Sequence, residues 1–230
     1  MYGQDIMLGR LRGKRIVVTQ ARDFMGPAAT ELFTSEGAEV IADEGDLRMP
    51  AAAADLIAKA GQVDVLIANL MWRNRRNYVY AIDDDEWSEN FESMVHPLHR
   101  LVRAVLPQML QRRSGKIVVM GSANGLRGTS IRAGYSAARG AQLAYVKSVG
   151  IEVAGHGINV NAIAQNWVTN PTSFTPEIMA APDFKDRLKE VPLGRLAHGW
   201  ESAALALYLS TSESDFFFGQ TFPFSGGWNS

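Results

Sequence analysis

The sequence contains no cysteine, which excludes disulfide bonds and thiolate metal sites. It has only four histidines, and the pair His96 and His99 lacks a matching carboxylate cluster, so we predict no metal site. Neither sign of charge is in excess, because the formal net charge is −1 and basic and acidic residues are interspersed. Binding to nucleic acid or to a membrane surface normally needs a basic face, so we expect neither partner.

Long hydrophobic runs are also absent. No stretch approaches the roughly 18 apolar residues of a membrane helix, and the N-terminus carries charges where a signal peptide needs an apolar run. Together with the lack of cysteine, this pattern favours the cytoplasm. The chain has 230 residues, 47% of them hydrophobic, which is enough for one well-packed core. We therefore predict a single domain over residues 1–230.

Short β-branched runs alternate with longer helical patterns along the chain. Strands are predicted at 14–19, 38–43, 63–69, 115–122, 158–164 and 219–227, and helices at 27–37, 51–61, 84–113 and 133–154. Pro97 is expected to kink the long helix near its middle. The alternation predicts an α/β fold with a Rossmann-like, doubly wound, mostly parallel sheet. Its ligand site should lie beyond the carboxyl ends of the strands, in the loops after Thr19, Asn69, Ser122 and Ala164.

Three residues near the end of one predicted strand are candidates for catalysis. Ser122 ends the strand, Tyr135 begins a helix thirteen residues later, and Arg139 lies one helical turn beyond. The i, i+4 spacing places the phenol and the guanidinium on one helix face, where a permanent cation favours the phenolate. With Ser122 contacting the same substrate oxygen, the set suits proton transfer to or from an alcohol. A Tyr–Arg pair that is merely exposed on a helix has the same spacing and stays an alternative.

These residues, the segment INVNAIA at 158–164 and the C-terminal GQTFPFSGGW resemble the short-chain dehydrogenase/reductase superfamily over nearly the whole chain. In that superfamily a lysine stands four residues after the tyrosine and also holds the nicotinamide ribose. Here that position is Arg139. Ser–Tyr–Arg in place of Ser–Tyr–Lys resembles the halohydrin dehalogenases, a branch without the nicotinamide cofactor. The resemblance therefore implies that the protein uses no cofactor.

The nucleotide-binding turn departs from the superfamily pattern T-G-x-x-x-G-x-G. The corresponding residues 19–26 read TQARDFMG, so Gln20 and Phe24 replace two glycines and only Gly26 survives. A phenyl ring at Phe24 stands where backbone has to approach a pyrophosphate, and we expect it to block that approach.

Two further departures point the same way. About 20 residues separate Asp43 from Val63, which leaves room for one helix between the superfamily's strands 2 and 4 and removes most of the adenosine-pocket wall. The loop after 158–164, normally Pro-Gly, is Gln165–Asn166. One residue favours a nucleotide, because Asp43 stands where an NAD enzyme has its ribose-binding carboxylate. A single acid at a strand end is, however, usually just solvated.

The resemblance implies that a halide ion occupies the volume vacated by nicotinamide. Its nest would be formed by Phe24 and the loop residues Gln165, Asn166, Trp167 and Val168. Backbone N–H groups, an amide side chain and the positive edges of aromatic rings offer an anion moderate affinity in a dry pocket. Ordinary core packing stays the alternative for Phe24 and Trp167.

The implied activity is the reversible conversion of vicinal halohydrins to epoxides with release of halide and a proton. Its reverse includes epoxide opening by cyanide, azide or nitrite. The resemblance also implies a homotetramer, and Trp228 is expected to reach a neighbouring subunit's site. The other substrate contacts are expected from Asn124, Leu126, Met71, Trp72 and Phe174.

Two other functions are compatible with parts of the sequence. An NAD(P)H-dependent carbonyl reductase would require a pyrophosphate to pass Phe24 and an adenosine to bind without its pocket wall. A non-catalytic sensor or scaffold would have no need for an intact Ser–Tyr–Arg set. Chloride release from a halohydrin without cofactor would separate these hypotheses.

Overall fold

The structure of the protein, a computed structural model, describes residues 9–72 and 75–229. Its strands are β1 (Arg15–Val18), β2 (Glu39–Ala42), β3 (Val65–Ala68), β4 (Gly115–Ser122), β5 (Ile158–Gln165) and β6 (Thr221–Phe224). They form one sheet in the order β2-β1-β3-β4-β5-β6, and every neighbouring pair is parallel. The predicted Rossmann-like α/β fold is confirmed.

Helices cover both faces of the sheet. They are α1 (Gly26–Ser35), α2 (Ala52–Ala60), α3 (Asp84–Met94), α4 (His96–Arg112), α5 (Ala133–Ala154), α6 (Pro176–Met179), α7 (Phe184–Leu188) and α8 (Gly199–Leu209). One core lies under α2, α4 and α5, and the other lies under α1 and α8. Alternate strand residues point to opposite cores, so Val17 belongs to the first and Val18 to the second. Every residue of β3 and β5 is buried because both of their sides are covered.

The predicted helix over 84–113 is instead two helices. It breaks at Val95, which ends α3 and precedes α4. Pro97 lies in the first turn of α4, where its missing N–H leaves no hydrogen bond unmade, so the proline starts a helix instead of kinking one. Helices α6, α7 and α8 have no counterpart in the sequence prediction. Helix α8 buries small residues such as Ser202 and Ala203, which gives only a weak periodic signal.

Only α2 lies between β2 and β3, and residues 43–48 form no strand, which leaves β2 at the edge of the sheet. The strand order reverses between β1 and β3, since β2 lies on one side of β1 and β3 on the other. A doubly wound sheet binds ligands at the carboxyl ends of strands near this reversal. Among the described helices, none has both the length and the apolar character needed to cross a membrane.

Candidate active site

One cavity of about 720 Å³ lies at the carboxyl ends of the central strands. Ser122, the last residue of β4, and Tyr135, in the first turn of α5, both line it. Both residues are buried, at 4% and 6% exposure, so their hydroxyl groups face the cavity instead of bulk solvent. The Ser122 hydroxyl accepts a hydrogen bond from the backbone N–H of Asn124 (3.2 Å), which fixes its position.

Arg139 is fully buried beneath the tyrosine. Its Nε donates to the Tyr135 hydroxyl oxygen at 3.0 Å, as the i, i+4 spacing predicts. Its Nη1 donates to the carbonyls of Leu70 (2.9 Å) and Met120 (3.2 Å) and to Oε1 of Gln142 (2.9 Å). These acceptors are neutral, and no described carboxylate forms an ion pair with Arg139. A buried cation that lacks a counter-ion stabilises a phenolate at the oxygen it contacts.

Gln142 is a site residue that the sequence analysis did not identify. It is fully buried on α5, accepts from Arg139 and donates through Nε2 to the carbonyl of Met94 (2.8 Å). The bond to Met94 holds its oxygen toward the guanidinium. The signal in the sequence is its i, i+3 spacing from Arg139, which places both side chains on one helix face.

The five residues predicted to form a halide nest all line the cavity, namely Phe24, Gln165, Asn166, Trp167 and Val168. The backbone N–H groups of Asn166 and Trp167 are already used, by the Phe224 carbonyl and the Asn166 side chain. The side-chain donors Gln165 Nε2 and Trp167 Nε1 are buried without a hydrogen-bond partner. The Gln165 oxygen accepts from the Ser202 hydroxyl, which leaves the amide N–H₂ as its unused end.

Four of the six predicted substrate-contact residues line the cavity: Met71, Asn124, Phe174 and Trp228. Trp228 is 4% exposed and lines the cavity of its own chain, and its contact with a neighbouring subunit stays a prediction. There its Nε1 donates to Glu190 (3.1 Å), and the guanidinium of Arg127 stacks on its ring (4.6 Å).

The two other predicted contact residues lie outside this cavity. Leu126 follows a 3₁₀ turn at 123–125 that directs it outward, and it is 41% exposed. Trp72 stacks under the guanidinium of Arg48 (4.7 Å) and donates to Glu89 (3.3 Å). It lines a smaller cavity together with Gln20, and it packs against the small cluster formed by Met94, Tyr135 and Ala138.

A set of charged residues around the cavity was not predicted from the sequence. Arg76, Arg132, Arg187 and Glu190 line it together with the predicted residues. Arg132 carried a signal, because it precedes Tyr135 by one helical turn. No group of three or more His, Asp or Glu side chains in the described part of the chain has the arrangement of a metal site.

Known proteins are similar to this chain over nearly its whole length. A family model described as enoyl-(acyl carrier protein) reductase matches residues 10–229. The chain belongs to the short-chain dehydrogenase/reductase superfamily. The 3-oxoacyl-[acyl-carrier-protein] reductase FabG of Salmonella typhimurium is 30% identical over 241 residues, covering 94% of this chain and 97% of that protein.

Two solved structures that are similar to this chain are named as dehalogenating enzymes. A protein named as a dehalogenation enzyme has a TM-score of 0.89 and 28% identity, covering 94% of this chain and 98% of its own. A halohydrin dehalogenase (HheC) bound to ethyl (2S)-oxiran-2-ylacetate has a TM-score of 0.86 and 22% identity, covering 93% and 96%. At that identity the second likeness shows the fold alone.

This superfamily member departs from the dinucleotide-binding pattern in the turn after β1. Gln20 and Phe24 hold positive φ angles of 45° and 49°, a conformation that favours glycine and strains other residues. Gly26 is retained for a steric reason, since a Cβ there would lie 2.3 Å from the Gln20 carbonyl oxygen. The turn therefore keeps a backbone conformation that favours glycine at two positions, although both positions carry side chains here.

The N–H groups that would face a pyrophosphate are occupied by the protein itself. The Phe24 N–H donates to the Thr172 hydroxyl (2.9 Å), and the Met25 N–H donates to Oδ1 of Asn69 (3.3 Å). The Gln20 side chain accepts from the Met71 N–H (2.7 Å) and donates to its carbonyl (3.1 Å), which ties the turn to the loop after β3.

The ring of Phe24 completes the closure of this position. It is 7% exposed and lies 5.3 Å from Cζ of Arg139, the residue in the place of the lysine that holds the nicotinamide ribose in the superfamily. These residues do not fit a dinucleotide, because one would have to displace the ring and break the bonds of Gln20 and Thr172.

Asp43, the remaining candidate for a ribose contact, is half-buried and not simply solvated. Burial raises the pKa of its carboxyl group. One oxygen accepts from the Gly45 N–H (3.3 Å), and the other is buried without a partner. This free acceptor is a group that a ribose hydroxyl would satisfy.

Proposed function

We propose that the protein converts vicinal halohydrins to epoxides, with release of halide and a proton, and that it does so without a cofactor. One observation carries the proposal. Arg139 Nε lies 3.0 Å from the Tyr135 oxygen at a cavity where the Phe24 ring, 5.3 Å from the same guanidinium, fills the position at which a dinucleotide's pyrophosphate would pass. Proton transfer is thereby supported where hydride transfer is obstructed.

The reaction begins with the substrate hydroxyl between Ser122 and Tyr135. The Tyr135 phenolate, stabilised by Arg139, takes the hydroxyl proton while the Ser122 hydroxyl orients the oxygen. The oxygen then forms a bond to the neighbouring carbon from the side opposite the halogen, and the carbon–halogen bond breaks with its electron pair. The proton leaves Tyr135 for solvent, so the products are epoxide, halide and a proton, with no change of oxidation state.

The leaving halide needs stabilisation while its charge grows. The side-chain donors Gln165 Nε2 and Trp167 Nε1, buried and unpaired, suit that purpose because an unpaired N–H gains more from an anion than a satisfied one. The same donors would hold cyanide, azide or nitrite when an epoxide is opened. The 28% identity to a protein named as a dehalogenation enzyme supports this assignment.

An NAD(P)H-dependent carbonyl reductase is the second candidate. The 30% identity to a 3-oxoacyl-[acyl-carrier-protein] reductase and the unpaired carboxylate oxygen of Asp43 favour it. The occupied turn and the Phe24 ring oppose it.

Tetrameric assembly remains a prediction from resemblance.

The experiment is to incubate the protein with 1,3-dichloro-2-propanol and no cofactor, and to follow chloride and pH. We expect chloride and protons to appear in equal amounts. The same preparation is titrated with NADPH while protein fluorescence is recorded. No chloride release together with saturable NADPH quenching would favour the reductase and overturn the proposal.

Gln142 offers a test of how Arg139 is positioned. We expect Gln142→Leu to lower kcat about tenfold with little change in KM, because the guanidinium loses an acceptor but the cavity wall stays intact. The measurement is steady-state chloride release, and Gln111→Leu on the exposed side of α4 is the matched control. Equal kcat values for the two variants would contradict the positioning role.

A further inference from the structure

The cavity carries more positive charge than the proposed chemistry uses. Arg76, Arg132 and Arg187 line it, and Glu190 is the single carboxylate among its described lining residues. Simple halohydrins and epoxides are neutral, and the halide is assigned to Gln165 and Trp167, so the proposed reaction gives the three guanidiniums no anion to bind. The cost of holding these cations near one another therefore points to a ligand that contributes negative charge.

The charges already present compensate one another only in part. Glu190 accepts from Trp228 Nε1 (3.1 Å). Arg187 lies 3.8 Å from the Asp183 carboxylate and 6.0 Å from the ring of Phe184. Arg187 thus has an acidic partner, whereas Arg76 and Arg132 form no ion pair within the described residues, and the single charge of Glu190 can offset only one of them.

Arg132 is the more buried of these two arginines. It is half-buried, and its guanidinium makes no hydrogen bond or ion pair with any residue in the described ranges. Burial lowers its pKa, and the neighbouring guanidiniums of Arg76 and Arg187 lower it further, which outweighs the opposite effect of Tyr135 and Glu190. Desolvated cations next to like charges gain more than solvated ones when an anion arrives.

The position of Arg132 determines where such an anion would bind. Arg132 precedes Tyr135 by three residues at the start of α5, so both side chains reach the same cavity from one helical turn. An anion on Arg132 would lie a few atoms from the oxygen that Tyr135 deprotonates. The planar guanidinium matches the two oxygens of a carboxylate.

We propose that the preferred substrate is a halohydrin or epoxide that carries a carboxylate close to its reacting carbons, bound by Arg132. This inference rests on the proposed function and names its substrate class. The carboxylate fixes which carbon faces the halide donors, and Arg76 and Arg187 add longer-range attraction at the cavity wall.

The test compares 4-chloro-3-hydroxybutanoate with 4-chloro-3-hydroxybutanamide, which have nearly the same shape and differ by one charge. We expect kcat/KM for the acid to exceed that for the amide by about tenfold or more in the wild type. In Arg132→Gln the ratio should fall toward one, and Arg132→Lys should retain part of it. The control Arg103→Gln, on the exposed side of α4, should keep the wild-type ratio.

A binding measurement keeps this inference separate from the proposed function. Calorimetric titration with 3-hydroxybutanoate and 3-hydroxybutanamide involves no leaving group, and we expect the acid to bind tighter through Arg132. Preferential acid binding without chloride release from any substrate would remove the dehalogenase proposal and leave the anion site. Turnover of 1,3-dichloro-2-propanol with no preference for the acid, in rate or binding, would remove the anion site alone.

Discussion

Replacing Tyr135 with phenylalanine is expected to reduce halide release by about 10²–10⁴-fold, the range that a positioned general base contributes. The exchange removes only the hydroxyl oxygen that faces the cavity and accepts from Arg139 (3.0 Å). Without that oxygen, no described group next to Ser122 both contacts a cation and reaches the substrate hydroxyl. The measurement is initial-rate chloride release from 1,3-dichloro-2-propanol.

Tyr145→Phe is the matched control for this experiment. Tyr145 lies on the same helix, and its hydroxyl group is within 3.3 Å of His99 Nδ1 on the outer surface, away from the cavity. The Tyr145→Phe variant loses a hydroxyl oxygen that the mechanism does not use, so its rate of chloride release should stay within about twofold of the wild type. A Tyr135→Phe protein as active as this control would rule out the proposed base.

Exchanging Arg139 for lysine is expected to have the second-largest effect, a loss of about 10²-fold in kcat/KM. The guanidinium contacts four acceptors at once, through Nε to Tyr135 and through Nη1 to two carbonyls and Gln142. A single ammonium group cannot reach all four from the same stem. We also expect the free energy of unfolding to fall by about 2–3 kcal/mol, because buried acceptors lose their donor.

Arg112→Lys separates the two consequences of this change. Arg112 likewise donates to neutral acceptors, Gln108 (2.9 Å) and the Val63 carbonyl (2.9 Å), but it lies at the end of α4 outside the cavity. Urea denaturation should show a stability loss in both variants, whereas chloride release should fall only in Arg139→Lys. If Arg139→Lys instead acquires NADPH-dependent carbonyl reduction, the reductase hypothesis gains and the present one is contradicted.

The parts of the fold that the sequence predicted well are those with a repeating physical signal. Strand β4 and helix α5 occupy the predicted residues 115–122 and 133–154, because a long buried strand and a long helix are each specified by many residues. The break at Val95 was missed, since a proline in a helix interior and one in a first turn look alike in the sequence. Helix α8 was missed because its small residues give little contrast between faces.

In the candidate site, the predicted residues on helices and strands line the cavity or contact one another as expected, whereas some predicted loop residues lie outside it. The contact of Tyr135 with Arg139 follows from helical geometry alone. Leu126 and Trp72 lie in irregular segments, where local dihedral angles decide the side on which a side chain emerges. The charged lining was missed for another reason, since its members come from distant parts of the chain and share no spacing.

The turn after β1 determines what it would take to make room for a dinucleotide. Phe24→Gly would relieve a strained residue, yet the bonds of Gln20 to Met71 and of Thr172 to the turn would still occupy the phosphate position. Changing Gln20 alone would leave the ring in place. No single substitution in this turn therefore opens the phosphate position, so a variant designed to bind a dinucleotide would need changes at Gln20, Phe24 and Thr172 together.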